Sequence, residues 1–222
     1  MNRQPKALIF DLDGTLVDSA PEIARALDAG FAPFDVAPFA LPVVASFIGN
    51  GAAITIGRAA AFARVELTAE HVAGVTARFM ETYAMASAEG KGLYPGAMEL
   101  LESLKQQATP LGLVTNKSEP ITHIALEALG IAHYFKAIIG ARDDRPQKPD
   151  PAGLHAAMSL LDATAVDVVM IGDSAADIGA AKAAGCRSIA VSYGYSRVPP
   201  AELGATLLVD RLSDIPAALA RL

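Results

Sequence analysis

Short apolar runs separated by helix-length segments are what most restrict the fold of this 222-residue chain. Ala7–Phe10, Leu111–Thr115, Val168–Gly172 and Ser188–Val191 are short and largely apolar, as strands buried on both faces of a parallel sheet are. Ile138–Ile139 and Leu207–Val209 are two shorter candidates. Between them lie helix-like segments: Ala97–Gln107, Ile121–Leu129, Ala152–Leu161 and Ala176–Ala184. Gly130 and Gly185 follow such segments where a C-terminal cap is expected. The alternation predicts an α/β fold, a parallel sheet with helices on both faces.

From Leu16 to Ala86 the alternation stops. This stretch carries no clear strand and is Ala-rich and helical between Ala52 and Ala88, with a turn near Glu66–Thr68. It reads as an inserted all-helical cap over the C-terminal ends of the strands. The expected division is a catalytic core of residues 1–15 and 87–222 with a cap of residues 16–86, and Gly90–Pro95 as the return hinge.

Composition narrows the partners. The net charge is −6 with no Lys/Arg-rich patch, which gives nucleic-acid binding no electrostatic support. The single cysteine, Cys186, excludes an intramolecular disulfide and suits a reducing cytoplasm. The first residues show no signal-peptide pattern, and no apolar run approaches the ~20 residues that span a bilayer. A cytoplasmic protein with neither a nucleic-acid nor a membrane partner is expected.

Four polar clusters fall where strands end or helices begin, the edge at which open α/β sheets bind ligands. They are Asp11 and Asp13 after the first strand, Thr115-Asn116-Lys117 after the second, Lys148-Pro149-Asp150-Pro151 before a helix, and Gly172-Asp173-Ser174 with Asp177. Asp11 and Asp13 stand two apart at the end of a buried strand, where mutual repulsion and desolvation make the pair costly to place. A chain tolerates this when a cation or a reaction needs both groups. Asp11, Asp13, Asp173 and Asp177 together make a pocket too negative for a phosphate dianion. Mg²⁺ suits a few carboxylates plus phosphate and water, and Lys148 adds a fixed positive charge. Asp11 can then attack phosphorus, Asp13 can protonate the leaving oxygen and later deprotonate water, and Thr115 with backbone amides can hold the equatorial oxygens.

These four clusters, in this order, resemble the motifs of the haloacid dehalogenase superfamily. Asp11-Leu12-Asp13-Gly14-Thr15 is similar to its first motif, Thr115 to its second, Lys148 to its third, and Gly172-Asp173-Ser174-x-x-Asp177 to its fourth. The resemblance implies a Rossmann-like core and a nucleophile at Asp11. It makes Asp13 the acid/base, with Mg²⁺ bound by Asp11, Asp173 and the Asp13 carbonyl. Phosphate would be met by Thr115, Asn116 and Lys148, with Ser174 and Asp177 behind the metal ligands. Asp13 points to the phosphatases and phosphomutases of the superfamily, because its dehalogenases lack an aspartate there.

Leu93-Tyr94-Pro95-Gly96, Gly112–Lys117, Lys148–Pro151 and Tyr193-Gly194-Tyr195 are similar to the phosphoglycolate phosphatase subgroup, as is the cap loop Ile48-Gly49-Asn50-Gly51. Gly49, Asn50 and Gly51 are therefore the expected specificity residues, with a structural turn that starts a cap helix as the equal alternative. Many relatives carry an arginine a few residues before that Gly-x-Gly, and Val43–Phe47 has none. Lys117 is the candidate for the substrate carboxylate in its place.

The expected activity is a Mg²⁺-dependent phosphomonoesterase, a monomer or homodimer acting on a small phosphorylated metabolite, with 2-phosphoglycolate the best candidate. The alternatives are a phosphatase for another small ester (a sugar phosphate or pyrophosphate), a phosphomutase, or a non-catalytic binding relative. The intact Asp11/Asp13/Lys148/Asp173 set argues against the last. Tyr83, Met80 and Met85 are read as cap core, Cys186 as packing, and the four histidines as surface or structural.

Overall fold

The computed structural model describes residues 5–222. Six strands form one all-parallel sheet: β1 (Ala7–Phe10), β2 (Leu111–Ser118), β3 (Phe135–Ala141), β4 (Val168–Gly172), β5 (Arg187–Val191) and β6 (Leu207–Val209). Their spatial order is β3-β2-β1-β4-β5-β6, so the chain reverses direction across the sheet between β1 and β4. β1 is central and fully buried, and its alternation divides the core. Leu8 and Phe10 pack on one face, with α5 (Ala97–Gln106), α6 (Glu119–Ala128) and α9 (Ile215–Leu219). Ala7 and Ile9 pack on the other, with α7 (Ala152–Leu161) and α8 (Ala175–Ala184).

Four helices lie between β1 and α5: α1 (Ala20–Phe31), α2 (Leu41–Ala45), α3 (Ala52–Ala63) and α4 (Ala69–Ser87). They bury an apolar cluster of their own, which includes Leu27, Phe31, Val44, Ile56, Val75 and Phe79. Thr68 caps α4 in a reciprocal box with His71, which accounts for the turn expected near Glu66–Thr68. The two connections to the sheet run side by side. Asp18 N donates to Gly92 O at 2.7 Å and Tyr94 N to Leu16 O at 2.9 Å.

Two strands are longer than expected. β2 runs on to Ser118, which keeps Asn116 and Lys117 in the strand, and β3 spans Phe135–Ala141 rather than Ile138–Ile139. Pairing with β3 carries β2 beyond its apolar run, across a register shift between Val114 and Ser118. Met85, expected in the insert's core, is 60% exposed.

Gly90 lies on the return connection with φ +63°, and a Cβ there would sit 2.2 Å from the Ala128 carbonyl oxygen at the end of α6. Gly90→Ala is therefore expected to destabilise by ~1–3 kcal/mol, read as a Tm lowered by about 2–4 °C per kcal/mol. Gly57, inside α3, has nothing within 4 Å of such a Cβ. Gly57→Ala should instead gain ~0.5–1 kcal/mol of helix propensity. Thermal melts of the two variants check both signs.

Candidate active site

The polar clusters converge where the strand order reverses, the position at which open α/β sheets bind ligands. After β1 the chain turns sharply: the Leu12 carbonyl accepts from the amides of Thr15, Leu16 and Val17. Gly14 sits in this turn at φ +87°, and a Cβ there would lie 2.5 Å from Asp173 Oδ2. The glycine of the Asp-x-Asp-Gly-Thr run is thus required by the close approach of β1 to the end of β4 as well as by its backbone angle. Thr15 Oγ1 donates to Asp173 Oδ1 at 3.2 Å, and the Tyr195 amide donates to Asp173 Oδ2 at 2.6 Å.

The inner layer is built around Lys148. Its ammonium lies 2.8 Å from Asp11 Oδ1, and it donates to Asp177 Oδ1 at 2.6 Å and to the Val114 carbonyl at 2.6 Å. Asp177 Oδ2 accepts from the Ser174 hydroxyl at 2.6 Å and its amide at 3.0 Å, which closes the capping box that opens α8. Asp177 therefore has both oxygens engaged and Ser174 acts as the N-cap. Asp11 Oδ1 is buried without a hydrogen bond of good geometry and is held by charge.

Carboxylate oxygens of Asp11, Asp173 and Asp177 all lie within 4.8 Å of one another. Three buried carboxylates against one ammonium is an uncompensated arrangement. Burial, the Asp177 charge and, more weakly, Asp13 push the Asp11 carboxyl up to about 7 against the pull of Lys148. Burial and the Asp177 and Asp11 charges hold Asp173 well above the usual carboxylate range. Lys148 is raised by Asp11 and Asp177, which outweigh its burial. A hard divalent cation fits this donor set. It would supply the missing positive charge, and Asp11 and Asp173 offer oxygens at the right edge of the sheet.

A second layer joins the sheet to the helices. Asp13 Oδ1 accepts from Lys117 Nζ at 3.3 Å and Asp13 Oδ2 from the Tyr83 hydroxyl at 3.3 Å. Lys117 Nζ also donates to Tyr83 Oη at 2.5 Å and stands 3.9 Å from Glu22 Oε2. Lys117, expected to meet a substrate carboxylate, is buried between two protein carboxylates. Asn116 spends its side chain on the backbone: Nδ2 donates to Gly49 O and Lys148 O, and Oδ1 accepts from the Lys148 amide. This ties the Gly49–Gly51 loop of the insert to the Lys148 loop of the core.

Between the layers lies a small cavity of about 40 Å³. Asp11, Asp13, Thr115 and Lys117 line it from the sheet, and Gly49 and Gly51 are among the residues that line it from the insert. Asn50 accepts instead from Arg58 Nη2 at 2.7 Å, while Arg58 Nη1 donates to the Phe47 carbonyl at 2.7 Å. Arg58 thus follows the glycine loop in the chain and braces it.

The sequence reading missed Glu22, Tyr83, Thr15 and Arg58 as members of this region. A glutamate on the buried face of α1 was a legible signal, since an acid there needs a partner. Tyr83 carried none, because a tyrosine among Phe79 and Met80 reads as packing until its hydroxyl is placed.

A parallel sheet with an acidic, lysine-braced cluster at its switch point and a helical insert over it has the architecture of a hydrolase core. The chain belongs to the haloacid dehalogenase-like hydrolases, whose family model matches residues 8–191. It is 40% identical over 211 residues to a phosphoglycolate phosphatase of Pectobacterium atrosepticum, a match covering 95% of this chain and 90% of that protein. It is likewise 40% identical over 217 residues to one from Rhodospirillum rubrum, with 95% and 89% covered. The crystal structure of a predicted phosphoglycolate phosphatase from Haemophilus somnus superposes with a TM-score of 0.88 at 32% identity, covering 97% of this chain and 98% of that one. Similarity of this extent makes the chain an enzyme, a hydrolase of the phosphatase kind. Among the described residues no helix is long and apolar enough to cross a membrane.

Asp11 ionises near 3.8 in the unfolded chain and near 7 when folded, so between these values the folded state holds the extra proton. In chelator, the stability gained from the protonated carboxyl is complete below about pH 4 and is lost as the pH rises through about 7. Relative to Asp11→Asn, the Tm of the wild-type protein should therefore fall across that window. Adding Mg²⁺ near neutral pH should restore it, and Asp173→Asn should blunt the recovery. A Tm difference independent of pH and of Mg²⁺ would contradict the electrostatic account.

Proposed function

We propose that this phosphatase is a Mg²⁺-dependent phosphomonoesterase that hydrolyses 2-phosphoglycolate to glycolate and phosphate through an aspartyl-phosphate on Asp11. It would work in the cytoplasm, as a monomer or homodimer, on that small metabolite. The observation that carries the reading is the position of Asp11 at the floor of the cavity. It is pinned by Lys148, and Asp13 stands above it with both oxygens held. The relatives named phosphoglycolate phosphatase support the substrate.

Asp11 Oδ attacks phosphorus in line with the departing ester oxygen. Lys148 holds the Asp11 carboxylate in place and, with it, lowers the repulsion an incoming dianion meets. Asp13 delivers a proton to the leaving oxygen and takes one from the water that then cleaves the aspartyl-phosphate. The Thr115 hydroxyl accepts from the Lys117 amide at 3.2 Å, which leaves its hydrogen for a phosphate oxygen. Asp11, Asp173 and the main-chain carbonyl of Asp13 would hold Mg²⁺, which supplies the positive charge that brings the phosphate to this edge. The four helices act as a cap: with the Gly49–Gly51 loop seated on Asn116, they close the cavity over a substrate of a few carbon atoms and exclude bulk water.

Asp11→Asn should abolish turnover with the fold retained. A hydroxylamine-labile phosphoryl adduct should be trapped on the wild-type protein and not on the variant. Near wild-type activity in Asp11→Asn would remove the nucleophile. A panel of phosphate esters with Mg²⁺ should give the highest kcat/KM for 2-phosphoglycolate. A preference for a sugar phosphate, or return of the phosphoryl group to substrate with no phosphate release, would overturn the substrate or the reaction.

A further inference from the structure

We propose that Tyr83 is a positioning residue for Asp13, presented by the helical insert and effective only while the insert is seated on the sheet edge. The inference rests on the reading of Asp13 as the acid/base.

The hydrogen bonds on Asp13 come from two different parts of the fold. Lys117 reaches Oδ1 from β2, and Tyr83 reaches Oδ2 from α4. An aspartate on the turn after a strand has two free side-chain torsions, and a general acid must meet the leaving oxygen at hydrogen-bonding distance. Lys117 alone would leave the carboxyl free to pivot about its contact. Tyr83 removes that freedom. Its hydroxyl is in turn fixed, because it accepts from Lys117 at 2.5 Å while it donates to Asp13.

Each part of the clamp is buried and supported. Tyr83 is 5% exposed and its ring packs on Phe79 with centroids 5.5 Å apart. The Lys117 ammonium lies 4.0 Å from the centre of the Tyr83 ring. Glu22, on α1 of the insert, faces Lys117 at 3.9 Å and is held by the Ser87 hydroxyl at 2.9 Å. The network therefore spans both units: Asp13 and Lys117 from the core, Glu22 and Tyr83 from the insert, with Ser87 at the end of α4. Lifting the insert withdraws Tyr83 and Glu22 together and leaves Asp13 with the Lys117 contact alone. Acid/base alignment is in this way tied to closure over the substrate, so that proton delivery is assembled only in a shut, dry site.

The test is kcat/KM, which reads the steps up to departure of the leaving group, for wild type, Tyr83→Phe, Asp13→Asn and the double variant. Two esters are compared: the best alkyl phosphate of the panel, whose alkoxide needs a proton, and p-nitrophenyl phosphate, whose phenolate does not. Tyr83→Phe keeps the ring and should melt as the wild type does. It is expected to lower kcat/KM for the alkyl ester about ten- to a hundredfold and for p-nitrophenyl phosphate less than about threefold. It should add nothing in the Asp13→Asn background. Equal losses on both esters would mark a general packing defect and overturn the inference. No loss on either ester, with Asp13→Asn still selective against the alkyl ester, would also overturn it while leaving the role of Asp13 intact. If Asp13→Asn shows no leaving-group selectivity, the acid/base reading itself fails and the inference falls with it.

Discussion

One buried ammonium organises the edge of the sheet. Lys148 donates to Asp177 and to the Val114 carbonyl and pairs by charge with Asp11, and so joins the turn after β1, the middle of β2 and the start of α8 at a single point. The arrangement is asymmetric in charge: Asp11, Asp173 and Asp177 stand against one lysine. Removing the lysine would leave buried carboxylates without compensation, a loss of ~3–5 kcal/mol for such pairs. With the lysine present, the cluster is still too negative to be at ease, and it is this deficit that a divalent cation fits. The stability of the edge and the proposed chemistry thus draw on the same electrostatics.

The helical insert is bound to that edge by polar groups rather than by a continuous apolar core. The insert and the sheet bury largely separate hydrophobic clusters, with Ile121 of α6 contributing to the insert's own. What crosses between them is specific: Asn116 to the Gly49 carbonyl, Tyr83 to Asp13, and the Tyr195 hydroxyl, which accepts from the Ala20 amide at 3.0 Å. Hydrogen bonds of this kind contribute ~0.5–1.5 kcal/mol each, so an interface made from them opens more readily than a packed core. That suits a unit proposed to admit substrate and close over it. The paired connections at Leu16–Asp18 and Gly92–Tyr94 run side by side between the two units.

Belonging to the haloacid dehalogenase-like hydrolases accounts for the core. The part of the cavity lined by the insert carries few charges. Gly49, Gly51, Ile48 and Phe79 contribute shape, and the one lysine present is already paired. Arg58 stands behind the loop and braces it through the Phe47 carbonyl and Asn50.

The strands, most helices and the inner layer of the site were legible in the sequence. Each depends on a local regularity: short apolar runs, a glycine at a turn, and carboxylates at strand ends whose burial is costly unless a cation answers them. Asp11, Asp13, Lys148, Asp173 and Asp177 could be grouped because parallel strands deliver their C-terminal ends to one edge. The outer layer was not legible. Lys117 read as a free cation because the apolar run of β2 ended at Thr115, whereas pairing with β3 carries the strand on to Ser118 and points the lysine inward. Asn116 and Asn50 read as ligand contacts, and tertiary neighbours, the Gly49 carbonyl and Arg58, claimed their side chains. Glu22 and Tyr83 stand 95 and 34 residues from Lys117 in the chain, and only the docking of α1 and α4 brings them together. Periodicity and spacing report what a residue's own segment does. The partner of a buried hydroxyl or carboxylate is chosen by which segments pack together, and that is decided by the whole fold.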